Sequence, residues 1–120
     1  MKEIIVYGIP NCDTIKKTLD WCKKNKIRVS FYDYKKKGIS KEKLAIWCKK
    51  VGWESLLNKK STSWRNMTAK EQAATIDQQS AIKVMMVNNS IIKRPVIEKG
   101  DALMVGFNEE EYIKHLKNKK

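Results

Sequence analysis

The chain has 120 residues, of which 26 are Lys or Arg and 13 are Asp or Glu, giving a formal net charge of +13. This length predicts a single domain of residues 1–120, and a hydrophobic fraction of 42% is enough to form a core. Because no apolar run approaches the about 20 residues of a membrane span, and the first residues lack a signal peptide's apolar segment, we expect a cytoplasmic protein without a membrane partner.

The cysteine and histidine content limits the chemistry. Three cysteines are widely spaced without a C-x-x-C pair, and the chain has a single histidine, His115. A disulfide framework, a zinc site and a Cys–His catalytic pair are therefore not expected. We predict that the protein binds neither a metal nor a resident cofactor.

The positive charge suits an anionic partner such as nucleic acid, anionic lipid or a small anion. However, the lysines are scattered in pairs and triplets, and the sequence has no arginine-rich recognition helix or aromatic RNA-stacking motif. We therefore interpret the charge as a generally basic surface and expect no nucleic-acid partner.

The first elements in chain order surround Cys12. Glu3–Tyr7 is a β-branched run typical of a strand, and Ile15–Cys22 has the apolar spacing of a helix. The turn between them contains Gly8, Pro10 and Asn11. This pattern places Cys12 at the N-terminus of the first helix, predicted over about residues 12–25.

A cysteine in this position is a candidate nucleophile. The first N–H groups of a helix have no partner within the helix, and the helix dipole is positive there. Both effects stabilise a thiolate and lower the thiol pKa, and the thiolate is the reactive form. The alternative is that Cys12 is an ordinary small residue in a turn.

The next segments indicate a parallel strand followed by helices. Val29–Tyr34 alternates as a strand and would pair with the first strand through a right-handed βαβ connection. From about 40 to 88 we expect a helical insertion, with a polar loop over Asn58–Asn66. Its predicted helix caps are Ser40, Thr68 and Ser80.

The end of the chain predicts a hairpin and a helix. Ile91–Glu98 approximates a strand that Pro95 interrupts, Lys99–Asp101 is a turn, and Ala102–Val105 pairs back. Asn108 then caps the last helix. Its residues expected to face inward are Tyr112, Ile113 and Leu116, and its lysines at 114, 117, 119 and 120 suit its C-terminal end.

The other two cysteines, Cys22 and Cys48, lie on the apolar stripes of predicted helices. They are better interpreted as core residues than as reactive thiols. Cys22 follows Cys12 by ten residues on one helix, hence roughly 15 Å, which exceeds disulfide reach. We therefore expect Cys12 to have no resolving partner within the chain.

Four blocks carry a family resemblance: Tyr7–Lys17, Leu56–Arg65, Ile92–Val96 and Val105–Glu110. They resemble the arsenate-reductase-like (ArsC/Spx) family of the thioredoxin fold, closest to its Spx/MgsR/YffB-type members. The resemblance implies an α/β, thioredoxin-like fold: a four-stranded mixed sheet with flanking helices and a helical insertion between the second and third strands. It also implies a cis Arg94–Pro95 bond facing Cys12.

The candidate site combines Cys12 with basic groups. Arg94 stands beside the strand-breaking proline, and a guanidinium suits an anion or a carboxylate, although a surface ion pair is its alternative role. Arg65 follows Trp64 and could equally be a stacked structural arginine. The candidate substrate- and anion-binding residues are Arg94, Pro95, Arg65, Lys60 and Thr14.

The resemblance to arsenate reductases is incomplete. In those enzymes three arginines serve the nucleophilic cysteine, and here only Arg94 matches. The first of the three would fall near Asn58–Lys60, which holds no arginine, and Met104–Phe107 holds no basic residue for the third. Spx-type regulators carry a C-x-x-C redox switch. Ile15 occupies the position of the second cysteine here, so a redox switch of that kind is excluded.

Three functions follow, in order of preference. The first is a single-cysteine thiol–disulfide oxidoreductase, in which Cys12 attacks a disulfide, for example on a protein substrate. An external thiol, glutathione or a glutaredoxin-like protein, then releases it. The alternative is a non-enzymatic, Spx-like, transcription-related adaptor that binds RNA polymerase. Arsenate reduction comes third.

Overall fold

Four strands form the sheet of this protein, a computed structural model of which describes residues 3–10 and 12–117. The predicted turn residue Asn11 and the lysines at 119 and 120 lie outside the described residues. The chain divides into two compact units. The sheet unit contains the residues up to Tyr34 and from Arg94 onwards, and the helical unit is Lys35–Lys93.

The sheet unit contains all four strands and the helices nearest the two ends of the chain. In chain order its elements are β1 (Ile4–Gly8), α1 (Asp13–Lys24), β2 (Ser30–Asp33), β3 (Val96–Lys99), β4 (Ala102–Val105), α8 (Glu109–Tyr112) and a π-helical turn (Ile113–Lys117). Between β2 and β3 the elements are α2 (Tyr34–Lys37), α3 (Lys41–Val51), α4 (Trp53–Leu56), α5 (Thr62–Arg65), α6 (Ala69–Ala73), α7 (Gln78–Val87) and a 3₁₀ turn (Asn89–Ile91).

The strands lie in the order β2-β1-β3-β4. β1 pairs in parallel with β2 and antiparallel with β3, which in turn pairs antiparallel with β4. The predicted mixed sheet, with helices inserted between the second and third strands, is confirmed, and the fold is thioredoxin-like. The insertion expected at about 40–88 corresponds to the helical unit. That residues 1–120 behave as one domain stays a prediction.

One face of the sheet carries the core of the sheet unit. Val6 and Ile97 are opposite each other in the β1–β3 register and therefore point to the same face. They pack with Trp21 and Cys22 of α1 and with Tyr112 near the C-terminus. Cys22 is only 1% exposed, so its predicted role as a core residue is confirmed.

The helical unit has its own buried residues on α3 and α7, which pack against each other. Ser40 caps α3 by accepting the N–H of Lys43 at 3.0 Å. Thr68 forms the predicted capping box with Glu71. Cys48 is buried on α3, as its position on the apolar stripe predicts. The buried side chains of the two helices are Leu44, Trp47, Cys48, Ala81, Ile82 and Met85.

Three predictions of local structure are wrong. Asp77, not Ser80, caps α7, because its carboxylate accepts the N–H of Ser80 at 2.9 Å and the Ser80 hydroxyl accepts the N–H of Asp77 in return. The predicted loop over Asn58–Asn66 contains α5, which Ser61 caps. Ile113 begins the π-helical turn and is 50% exposed instead of facing inward.

No helix among the described residues is both long enough and apolar enough to cross a bilayer.

Gly8 allows α1 to approach the end of β1 closely. A Cβ atom built on Gly8 would overlap Cδ1 and Cγ1 of Ile15, in the first turn of α1. We therefore expect Gly8→Ala to destabilise the protein by about 1–3 kcal/mol, measured by urea unfolding, because an overpacked site must shift its neighbours. Ile15→Val removes one of the overlapped atoms, so the double variant should lose less than the sum of the single variants. Strict additivity would contradict this account.

Candidate active site around Cys12

Cys12 is the N-cap residue of α1, as the sequence predicts. Its backbone is extended (φ −112°, ψ 128°), and its carbonyl accepts the N–H of Lys16 at 2.9 Å. Its sulfur makes no capping hydrogen bond of regular geometry, yet the N–H groups of Thr14 and Ile15 face it. The thiol is partly exposed, so both the helix terminus and a reaction partner can reach it.

The surroundings of Cys12 favour its thiolate. Burial raises the pKa of the thiol, but the Ile15 N–H, a hydrogen bond from Arg94, the Thr14 N–H and the charge of Arg94 outweigh burial. The net effect is a pKa below the ordinary value of a cysteine thiol. Thr14 therefore takes part through its backbone N–H group.

Arg94 provides the cation beside the sulfur. It precedes Pro95 through a cis peptide bond, which confirms the prediction for this pair. Burial lowers the pKa of its guanidinium, whereas Cys12 and Tyr34 raise it, and the net shift is upward. Arg94 thus stays charged and holds hydrogen bonds to both groups. Pro95 itself is buried, and its carbonyl accepts the N–H of Gly106 at 2.8 Å.

Tyr34 is the residue of the site that the sequence analysis missed. It is fully buried, and burial raises the pKa of its phenol, so the hydroxyl is neutral and accepts a hydrogen bond from Arg94. A signal for it exists in the topology. β1 and β2 are parallel, so the residues after them, Cys12 and Tyr34, emerge at the same edge of the sheet.

The two other predicted basic residues, Arg65 and Lys60, belong to the helical unit and are exposed. Arg65 donates from Nε and Nη2 to the Lys60 carbonyl, at 3.2 and 2.7 Å, which stabilises the loop before α5. The cation over the Trp64 ring is Lys59, whose Nζ lies 5.8 Å from the ring centroid. Binding of substrate by Arg65 or Lys60 stays a prediction.

Cys22 and Cys48 differ chemically from Cys12. Burial raises the pKa of both thiols, and no group that lowers it acts on either of them. The same residue type thus occurs twice in the core with a raised thiol pKa and once, at Cys12, with a lowered thiol pKa.

An open cleft of about 450 Å³ begins at Asp13, the residue after Cys12, and follows the outer face of α1. Its apolar part includes Phe107 and Trp21. Nζ of Lys17 lies 4.6 Å from the centroid of the Phe107 ring, and Nε1 of Trp21 donates to the Glu109 carboxylate at 3.0 Å. The charged side chains lining the cleft are Asp13, Lys16, Lys17, Asp20, Lys24 and Glu109.

This fold and this cysteine define a class: thioredoxin-like proteins with a cysteine of lowered pKa before α1 and a cis-proline segment beside it. The chain belongs to the ArsC family, whose family model matches residues 7–115. The family resemblance found in the sequence is therefore confirmed.

Three similar proteins cover nearly the whole chain. An uncharacterized protein of Haemophilus influenzae is 39% identical over 109 residues, covering 91% of this chain and 95% of that protein. The solved structure of the YFFB (PA3664) protein is 39% identical in sequence and has a TM-score of 0.89. The match covers 94% of this chain and 98% of the YFFB chain. The regulatory protein MgsR of Bacillus subtilis is 20% identical over 120 residues, covering 98% of this chain and 94% of MgsR.

Removal of Arg94 should make Cys12 less reactive under mildly acidic conditions. Arg94 lowers the pKa of Cys12, so Arg94→Ala should raise that pKa. At a pH below the titration midpoint of Cys12, a smaller fraction of the thiol is then ionised. We expect alkylation by iodoacetamide at about pH 6 to slow by about 3–10-fold, because one pKa unit is a factor of ten. At a pH above both midpoints the rates should converge. Arg28→Ala, which removes an exposed arginine of the same unit, is the control. An unchanged pH profile in Arg94→Ala would mean that the helix terminus alone activates the thiol.

Proposed function

We propose that the protein is a single-cysteine thiol–disulfide oxidoreductase with Cys12 as its nucleophile. The observation that carries the proposal is the partly exposed Cys12 sulfur, which receives both the Arg94 hydrogen bond and the N–H groups at the start of α1. Such groups favour negative charge on sulfur, and a thiolate attacks a disulfide directly.

The reaction would proceed in two exchanges. The Cys12 thiolate attacks one sulfur of a substrate disulfide, the S–S bond breaks, and the leaving thiolate takes a proton from water. A glutathione thiolate then attacks the substrate sulfur of the mixed disulfide, which releases Cys12 as a thiolate and leaves a glutathione–substrate disulfide. A second glutathione thiolate attacks the glutathione sulfur of that disulfide, so glutathione disulfide forms, the remaining substrate thiol leaves, and two glutathione molecules have reduced one substrate disulfide. Arg94 would stabilise the sulfur anion at the start and at the end.

An external thiol is required because the other two cysteines are core residues. Cys22 is 1% exposed and Cys48 is 3% exposed. Glutathione, or a glutaredoxin-like protein carrying it, is the donor we infer, in the cytoplasm where such thiols stay reduced. Glutathione has two carboxylates and one ammonium group. The cleft beside Asp13 offers lysines for the carboxylates and carboxylates for the ammonium group.

Incubation with glutathione disulfide should add one glutathione, at Cys12. We expect a mass increase of a single glutathione, assigned to the Cys12 peptide by peptide mass spectrometry, and none in Cys12→Ser. Cys22→Ser serves as the matched control and should be modified like the parent protein. A Cys12–Cys22 or Cys12–Cys48 disulfide as the main product would contradict the proposed cycle, because it would supply an internal resolving thiol.

Arsenate reduction should be weak or absent. An oxyanion needs several donors fixed around it, and loss of one such donor typically costs about 10²–10³ in rate. Of the three arginines that the family resemblance leads us to seek, Arg94 alone is present in the sequence. Robust turnover of arsenate by the purified protein, coupled to glutathione and glutaredoxin, would overturn this expectation.

A transcription-related adaptor is the second candidate. The observation in its favour is the similarity along nearly the whole chain to the regulatory protein MgsR. Under this alternative the protein would bind RNA polymerase without using its thiol. The two candidates therefore differ in their response to Cys12→Ser, which should abolish disulfide exchange but leave a pull-down of RNA polymerase unchanged.

A further inference from the structure

The hydroxyl group of Tyr112 lies in the core, between α1 and the loop that joins β4 to α8. The side chain is fully buried, and the hydroxyl donates to the Gly106 carbonyl at 2.7 Å. The N–H of Asn108 and the hydroxyl of Thr18 also face the phenolic oxygen. The phenolic oxygen is thus bonded to the loop between β4 and α8 and faces α1.

Thr18 extends this connection to the N-terminus of α1. It is fully buried, and its hydroxyl donates to the Thr14 carbonyl one turn earlier, at 2.8 Å. Thr18 and Tyr112 carry one hydroxyl proton each, and the bonds to the Thr14 and Gly106 carbonyls use both of them. Thr14 is also a residue whose N–H faces the Cys12 sulfur.

The other end of the connection reaches the segment that carries the cation. Gly106 donates its N–H to the Pro95 carbonyl at 2.8 Å, and Pro95 directly follows Arg94. Gly106 has φ +81°, a left-handed conformation that favours glycine, so this loop conformation depends on the residue type. Two hydrogen-bonded segments, Thr18 to Thr14 and Tyr112 through Gly106 to Pro95, therefore meet where the two buried hydroxyls face each other.

We propose that Thr18 and Tyr112 are positioning residues for Cys12. The Thr18 hydroxyl holds the first turn of α1, and the Tyr112 hydroxyl holds the Gly106 loop and through it Pro95, so that amide groups and a guanidinium from different elements stay directed at one sulfur. A hydrogen bond weakens steeply when its distance or angle departs from the favoured values. The donors around a reactive group therefore stabilise it fully only when neighbouring residues hold them in place. This inference rests on the proposed role of Cys12 as the nucleophile, but not on the identity of its substrate.

Packing alone does not require these hydroxyls. The Tyr112 ring contacts the rings of Trp21 and Phe107, with centroids 5.4 and 5.2 Å away, and phenylalanine would keep both contacts. If the hydroxyls served only as satisfied core groups, their removal would lower stability and leave the reactivity of Cys12 unchanged. A positioning role predicts that the titration midpoint of Cys12 changes as well.

The test measures the rate of Cys12 alkylation by iodoacetamide against pH in Tyr112→Phe and Thr18→Val. We expect both midpoints to move upward by about 0.5–1 pH unit, which slows alkylation below the midpoint by about 3–10-fold. Thr18→Ser keeps the hydroxyl and should restore the midpoint of the parent protein. If Tyr112→Phe does not fold, the comparison of Thr18→Val with Thr18→Ser decides the matter.

Two matched variants separate positioning from stability. Tyr7→Phe removes another buried tyrosine hydroxyl, which donates to Glu98 at 2.7 Å. Thr75→Val removes a buried threonine hydroxyl with the same bond one helical turn back, to the Glu71 carbonyl at 3.1 Å. Both should lower the melting temperature without moving the Cys12 midpoint. Equal shifts in all four variants, or no shift in Tyr112→Phe and Thr18→Val, would overturn the proposal. Because iodoacetamide requires no disulfide substrate, this outcome is independent of whether glutathione is the partner.

Discussion

The site depends on the stabilisation of negative charge on one sulfur by groups from distant parts of the sequence. The start of α1 contributes N–H groups of Thr14 and Ile15, and the segment before β3 contributes the guanidinium of Arg94. Neither contribution exists in an unfolded chain. The acidity of Cys12 is therefore a property of the fold, produced by the sheet order that places β1 between β2 and β3.

The contrast among the three cysteines shows how burial alone acts in the opposite direction. Cys22 and Cys48 are enclosed by apolar side chains, which disfavour the charged form and raise the thiol pKa. Cys12 also loses water, but it gains donors that more than compensate. Burial and donor groups thus shift the pKa values of thiols in one small protein in opposite directions.

Sequence patterns located the parts of the site that follow from local chemistry. A turn between a strand and a helix places Cys12, and a proline within a strand pattern together with the family resemblance led to Arg94–Pro95. Tyr34 was not predicted as a site residue, because its role arises from a hydrogen bond to Arg94, far along the chain. The periodicity of a sequence does not indicate such a contact. The cap of α7 was misassigned for a related reason, since Asp77 and Ser80 are both good capping residues and only their reciprocal bonds distinguish them.

The helical unit begins directly after Tyr34 and ends directly before Arg94, two residues whose side chains are hydrogen-bonded to each other. The hydrogen bond between Tyr34 and Arg94 therefore connects the two ends of the insertion, so that the inserted segment forms a closed loop. Closure entropy grows slowly with loop length, by about 0.6 kcal/mol for each doubling. The length of the inserted segment is therefore only weakly constrained by the sheet. As far as closure entropy is concerned, inserted segments of quite different length would join Tyr34 to Arg94 at nearly the same cost.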